Sequence, residues 1–296
     1  MELTDLLTFS AVARNGGITR AAEELNTVQS NVTQRVKALE AEMGVTLFER
    51  HSRGMTLTGA GRRLLPYVQR MAALSREAVL AARDDGEPKG PLAIGSMETT
   101  AAVRLPELLA EFHRRFPKVT LTLKTATTAD LVAGVLDGAL DGAFVAGPIE
   151  HADLVSTVAF REELVLVTAR RFTSLAALRA GTPESGPTAL VFRTGCTYRQ
   201  RLEQVFSDFG WPSAARFELG TLDGMIGCVA AGMGVSLLPR AVVERSDQRK
   251  NVSMHALDTS WSRVDTLFIQ RKSAHQYSAL TGFASCLNGA ERVIAA

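Results

Sequence analysis

Apolar positions near the start of the chain recur at helical spacing in three successive runs. Leu3, Leu6, Leu7, Phe9, Ser10 and Ala13 predict a first helix. Gly16-Gly17 breaks it. Thr19 is a candidate cap for a second helix through Ala21, Ala22 and Leu25. Asn26 makes a short turn, and Thr27 is the expected N-cap of a third helix. There Val32, Val36, Leu39 and Met43 form one apolar stripe. The opposite face carries Gln29, Ser30, Asn31, Thr33, Gln34, Arg35 and Lys37. Two short β-prone runs follow, Val45 to Arg50 and Thr56 to Thr58, around a basic tip containing Gly54.

Helix, tight turn, helix and hairpin predict a winged helix-turn-helix. The polar face of the third helix has two readings. It is a solvated surface, or it is a recognition face set into the DNA major groove. Amide side chains read adenine edges, arginine reads guanine, and hydroxyls reach phosphates or bases. Uncharged amides in place of Glu/Lys pairs favour the recognition face. Arg50 and Arg53 in the wing are placed to meet phosphate or the minor groove.

From Leu57 to Ala82 the spacing becomes 4,3,4,3, through Leu57, Gly61, Leu64, Val68, Met71, Ser75, Ala78 and Ala82. This is coiled-coil spacing, and it predicts a paired linker helix. The alternative is a helix packed on its own domain. Pro66 is expected to kink or restart it. Asp84-Asp85-Gly86-Glu87-Pro88-Lys89-Gly90-Pro91 reads as a hinge-like boundary.

Beyond it, strand-like and helix-like runs alternate. Strands are expected at Leu92–Gly95, Val119–Leu123, Gly142–Val145, Glu163–Thr168, Leu190–Phe192, Phe217–Gly220, Val235–Leu238 and Val264–Ile269. Helices are expected at Ala101–Phe116, around Leu131–Leu136, at Thr197–Phe209 and from Leu222. Such alternation predicts parallel sheets with crossover helices. Ligands of these layers bind where strand ends meet helix starts. Candidate segments are Gly95 to Thr100, Thr127 to Ala129, Gly147-Pro148 and Arg193 to Thr197. Hydroxyls and helix N-termini suit an organic acid or another anion. The rival reading is that each Ser or Thr only caps its helix. Phe144 adds apolar contact to the ligand or fills the core. Cys196 is a pocket-lining or buried residue, or a thiol activated by a helix N-terminus. Arg199 meets an anionic ligand or forms a surface ion pair.

Composition narrows the function classes. The chain has 296 residues and a formal net charge of +2, long enough for two domains. Its 46% hydrophobic and 22% charged residues exclude a disordered chain. No apolar run approaches the roughly 20 residues of a membrane span, and the acidic start lacks the basic region of a secretory signal. A cytoplasmic location is therefore expected. The near-neutral total hides a local bias. Residues 29 to 63 hold Arg35, Lys37, Arg50, Arg53, Arg62 and Arg63 against Glu40, Glu42 and Glu49. The three cysteines form neither a disulfide framework nor a metal motif. His51, His113, His151, His255 and His275 are scattered. No catalytic triad, metal cluster or paired carboxylates stand out, so no catalytic residue, metal or cofactor is expected. The rival functions are an enzyme or a transport binding protein built on the C-terminal part, and an architectural DNA binder without a ligand.

The run Ala21-Ala22-Glu23-Glu24-Leu25, followed by Gln29 to Glu40, resembles the N-terminus of LysR-type transcriptional regulators. Gly44 to Arg50 and Leu57 to Gly61 extend the resemblance, as does Ala230 to Pro239. Many members have Pro in place of Ser30, Ser in place of Thr33, and Ser or Thr in place of Val28. The resemblance implies an α/β chain of three parts. These are a winged helix-turn-helix at 1–58, a linker and dimerisation helix with hinge at 59–90, and a periplasmic-binding-protein-like effector domain at 91–296. Subdomain I is expected at about 91–162 and 267–296, and subdomain II at about 163–266. The implied partners are double-stranded DNA, a small-molecule effector, and copies of the chain in a homodimer or dimer of dimers. The expected DNA-binding residues are Gln29, Ser30, Asn31, Thr33, Gln34, Arg35, Lys37, Arg50 and Arg53. Those expected around the effector are Ser96, Thr99, Thr100, Thr128, Phe144, Gly147, Thr194 and Cys196.

Overall fold

The computed structural model describes residues 1–52, 54–211, 214–257, 259–272 and 277–293. Arg53 and His275 lie outside the described residues. The chain forms two compact units, Met1–Asp84 with Asp137–Ala139, and Asp85–Leu136 with Leu140–Ala296.

The first unit runs α1 (Leu3–Asn15), α2 (Ile18–Glu24), α3 (Gln29–Met43), β1 (Phe48–His51), β2 (Gly54–Leu57) and α4 (Gly59–Arg83). Its core gathers Leu6, Phe9 and Val12 from α1, Ala21 and Ala22 from α2, and Val32, Val36 and Leu39 from α3. Each fully buried Leu, Val or Phe contributes roughly 1.5–3 kcal/mol. β1 and β2 pair antiparallel, Phe48 opposite Leu57 and His51 opposite Gly54. Glu40 Oε1 accepts from the Leu47 N–H at 2.7 Å and so fixes the entry into the hairpin. Gly54 sits at φ +131°, and a Cβ there would lie 2.5 Å from the Gly16 carbonyl oxygen. The next N–H, of Met55, donates to that same oxygen at 2.8 Å. The wing is thus anchored on the turn after α1.

Two expected caps move. α2 begins after Gly17, which places Thr19 inside the helix. α3 begins after Val28 with no side-chain cap. The Thr27 hydroxyl instead accepts from Asn31 Nδ2 at 2.9 Å. α4 does start on a threonine cap, Thr58 accepting from the Gly61 N–H at 3.0 Å, and it continues through Pro66. The expected seam is corrected in its first half. Gly61 and Val68 are buried, and Leu57 and Leu64 pack on the same core of their own unit. The exposed large apolar residues of α4 are Tyr67, Met71, Leu74 and Val79, and Ala78 and Ala82 of the expected seam are exposed as well.

The second unit begins with β3 (Gly90–Ser96), α5 (Glu98–Val103), α6 (Leu105–Arg115), β4 (Val119–Thr125), α7 (Thr128–Leu136), β5 (Gly142–Ala146) and β6 (Leu154–Ala169). It continues with α8 (Leu175–Ala180), β7 (Ala189–Val191), α9 (Thr197–Asp208), β8 (Arg216–Glu218), α10 (Leu222–Ala230), β9 (Ser236–Pro239) and α11 (Arg240–Arg245). A 3-10 turn (Asp247–Asn251), β10 (Val252–Ala256), α12 (Thr259–Ser262), β11 (Arg263–Arg271) and α13 (Ser278–Val293) complete it. The single helix expected from Ala101 to Phe116 is two. Pro106 has no N–H to continue the ladder, and it sits in the first turn of α6, where none is needed.

The sheets are mixed, not purely parallel as expected. β3 pairs parallel with β4 and β5, whereas β11 runs antiparallel between β5 and β6. β6 serves two layers. Residues Leu154 to Glu163 pair with β11, and Leu164 to Ala169 pair with β9 and β10. A bulge opposite Thr266/Leu267 leaves Ala159 outside that register. β7 and β8 pair parallel, and Ala189 bridges to Val235 just before β9. The unit therefore has two halves that share β6. Phe144, Phe160, Phe268 and Phe283 pack ring against ring, with centroids 4.9 to 6.2 Å apart, beside β5.

Candidate functional site

The first unit presents an exposed polar helix end. Burying Val32, Val36 and Leu39 turns Gln29, Ser30, Gln34 and Lys37 outward, all exposed. Asn26 adopts φ +50°, closing the turn between α2 and α3; asparagine tolerates this region better than most residues. Asn31 and Thr33 are half-buried and already bonded, Asn31 to Thr27 and Thr33 to the Gln29 carbonyl at 2.8 Å. Arg35 departs from the expected reading role. It flanks the buried stripe and pairs with Asp5 of α1 at 2.8 Å, so it ties α3 to α1. Arg50 is exposed in the wing, beside His51, whose Nε2 lies 2.9 Å from Thr56 Oγ1. Arg20, Arg62 and Arg63 are further exposed cations of this unit that the sequence reading left off its DNA-binding set.

The second unit holds a cavity of about 300 Å³. Its walls come from both halves. Thr99, Thr125, Thr127 and Thr128 supply hydroxyls from the β3 and β4 ends, and Tyr198 and Thr221 supply them from the other half. Met97, Phe192 and Leu219 give apolar surface. The sequence places these groups simply. β3 and β4 are parallel, so their C-terminal ends open on the same side, where α5 and α7 begin.

Two contacts join the halves beside the cavity. Glu98 Oε1 accepts from the Leu222 N–H at the start of α10, at 2.9 Å. Gly195, at φ +93°, brings its backbone against α7, where a Cβ would sit 3.0 Å from Thr127 Oγ1. Thr99 and Tyr198 are 3% and 2% exposed, and neither hydroxyl has a partner of hydrogen-bond geometry. Burial pushes the Tyr198 phenol well above its ordinary pKa, against an opposing influence of the nearby Thr99 hydroxyl. It therefore stays protonated and remains a donor. Below it, Arg104 grips Glu162 with two hydrogen bonds of 2.8 and 2.9 Å.

Of the residues expected around an effector, Thr99, Thr128 and Cys196 line this cavity. Thr128 Oγ1 also lies 3.5 Å from Met97 Sδ. The others lie elsewhere. Ser96 is fully buried and donates to the Met97 carbonyl at 2.9 Å. Thr100 is buried and is not among the cavity's lining residues. Phe144 fills the aromatic core. Gly147 borders a second groove, which shares Thr128 with the cavity. Thr194 is exposed and accepts from Arg199 at 3.2 Å. Arg199 forms ion pairs with Glu203 and Glu218. Cys196 occupies the N-cap position of α9 without a side-chain cap bond, and burial raises its pKa, opposite to thiol activation. Thr125, Arg193, Tyr198 and Thr221 line the cavity without having been singled out as ligand residues. A threonine just before the apolar start of α10 was the available signal for Thr221.

Among the described residues, no helix is long and apolar enough to cross a membrane, and no group of three or more His, Cys, Asp or Glu is placed to hold a metal ion.

Comparison with known proteins covers both units. Residues 3–62 match the family described as bacterial regulatory helix-turn-helix protein, lysR family. Residues 85–291 match the LysR substrate binding domain. The HTH-type transcriptional regulator YofA of Bacillus subtilis (strain 168) is 43% identical over 292 residues, 99% of this chain and 100% of that protein. GltR of the same organism is 41% identical, over 96% of this chain and 95% of its own. Among solved structures, CbnR, a LysR family transcriptional regulator, aligns over 98% of this chain and 99% of its own, with a TM-score of 0.69 and 26% identity. Full-length CbnR complexed with its target DNA aligns with a TM-score of 0.67 and 27% identity, over 98% of this chain and 100% of that one. The chain therefore belongs to the LysR family of bacterial transcriptional regulators, DNA-binding proteins that carry a helix-turn-helix unit and a ligand-binding domain.

Proposed function

We propose that this regulator reads double-stranded DNA with the exposed N-terminal part of α3, through Gln29, Ser30, Gln34 and Lys37, and with Arg50 of the wing. The similarity to CbnR, solved on its target DNA, supports this reading. Arg20, Arg62 and Arg63 supply phosphate contacts, which position the unit without reading sequence. Two copies pair through the exposed Tyr67, Met71 and Leu74 face of α4, as a homodimer or dimer of dimers. Such pairing presents two recognition helices to half-sites about one helical turn, or a multiple, apart.

The effector is a small molecule with a carboxylate or other anionic group, held in the cavity between the halves of the second unit. The observation that carries this reading is the set of buried hydroxyls from both halves around one opening. A ligand touching both halves binds one arrangement of them more tightly than another, and only such a difference shifts an equilibrium. The test is DNA site selection with the full-length protein, then operator binding at fixed salt with and without candidate acids. Thr128→Val is expected to blunt the response to the acid and leave operator affinity unchanged. A full response in that variant refutes the assignment of the cavity.

A further inference from the structure

The cavity carries one formal charge of each sign, on opposite halves. Glu98 opens α5 in one half, and Arg193 follows β7 in the other. Among the described residues, neither has a salt-bridge partner. One Glu98 oxygen accepts the Leu222 N–H at 2.9 Å. A carboxylate has two oxygens and about four acceptor positions, so most of its capacity is left for a ligand.

These charges discriminate between ligands. A simple carboxylate meeting Arg193 would also press a negative group toward Glu98. Filling the cavity would strip water from Glu98 with no cation to replace it, and a desolvated unpaired charge is costly. A ligand with its own cationic group removes that cost. The two unpartnered hydroxyls of Thr99 and Tyr198 are buried at the cavity wall. Both can donate to a carboxylate oxygen, and Phe192 offers apolar contact to a short side chain.

We propose that the effector is a zwitterion of the α-amino-acid class, its carboxylate held by Arg193 and the buried hydroxyls, its ammonium by Glu98. This deepens, and rests on, the reading of the cavity as the effector site.

The test is thermal shift and calorimetry on the full-length protein. The probes are the common L-amino acids, and for each one that binds, the same carbon skeleton without the amino group. At least one amino acid is expected to bind, and its deaminated counterpart to bind at least tenfold more weakly. Glu98→Gln keeps an oxygen for the Leu222 N–H but loses the charge. It should weaken the amino acid about tenfold and close the gap to the deaminated acid. Arg193→Gln should weaken both probes. If no amino acid binds, the zwitterion assignment is overturned. The same holds if deaminated acids bind as well as their parents while Thr128→Val weakens both; the cavity then remains the effector site. If Thr128→Val, Glu98→Gln and Arg193→Gln all leave binding untouched, the cavity reading itself falls.

Discussion

Replacing Arg104 with methionine removes one partner of a buried pair and strands the other. Glu162 has a side chain only 4% exposed, and Arg104 is 18% exposed. Their two hydrogen bonds, at 2.8 and 2.9 Å, have the parallel geometry that makes arginine–carboxylate pairs strong. Breaking a buried pair from one side costs about 3–5 kcal/mol, because the remaining charge is left uncompensated. Arg104 keeps some solvent contact, which favours the lower end, about 3 kcal/mol. That is on the order of a hundredfold in the folding equilibrium. For a unit of this size it lowers the melting temperature by roughly 6–12 °C. The assay is convenient, since both tryptophans, Trp211 and Trp261, lie in the second unit. Tryptophan fluorescence in a urea titration therefore follows that unit alone. The double variant Arg104→Met/Glu162→Leu removes both charges and is expected to recover most of the loss. A loss below about 1 kcal/mol in the single variant, or a double variant no more stable than the single, would refute the reasoning.

In the first unit, Gln34→Ala is expected to change base preference in a site-selection assay without moving the melting temperature. Arg35→Ala is expected to lower stability by about 1–3 kcal/mol through loss of the Asp5 pair; equal stability in both variants would contradict the division of roles. Gly54→Ala should destabilise the wing by roughly 2–4 kcal/mol, combining a positive φ with a Cβ against the Gly16 carbonyl. Faster amide exchange at Met55 would report it, and unchanged exchange would count against it. His255 is 7% exposed and its pKa is lowered by burial. Below about pH 6.5 the unfolded chain binds a proton that the folded chain refuses, so stability of the second unit falls as pH drops through that value. His255→Gln should flatten this slope between pH 7.5 and 5.5; an unaltered slope would assign the acid sensitivity to other groups.

The reading head was legible in the sequence because its signals are local. The stripe of Val32, Val36 and Leu39 sets the orientation of α3, and with it the exposure of Gln29, Ser30 and Gln34. What was not legible there is long-range. Nothing near Arg35 in sequence announces a carboxylate at Asp5. The linker periodicity was real, but residues such as Val68 are claimed by their own unit first. In the second unit, most strands and the longer helices were readable from their apolar runs, whereas α8, α11 and β10 are too short to show a period. The cavity was read from strand ends, which found Thr99, Thr128 and Cys196. It misplaced Phe144, because a residue in a central strand faces one layer or the other and alternation cannot say which holds the ligand. Tyr198 and Thr221 enter only when α9 and α10 are brought opposite α5.

β6 has a mechanical consequence. A single continuous strand is laced into both halves of the second unit, with β11 beside it at the crossing. The halves therefore do not hang on a slack tether. Any closing around a ligand has to be accommodated along that shared backbone, whose ladder to β11 is interrupted at Ala159. The coupling of the two halves is therefore open to change by substitution at that interruption, without touching a residue that lines the cavity.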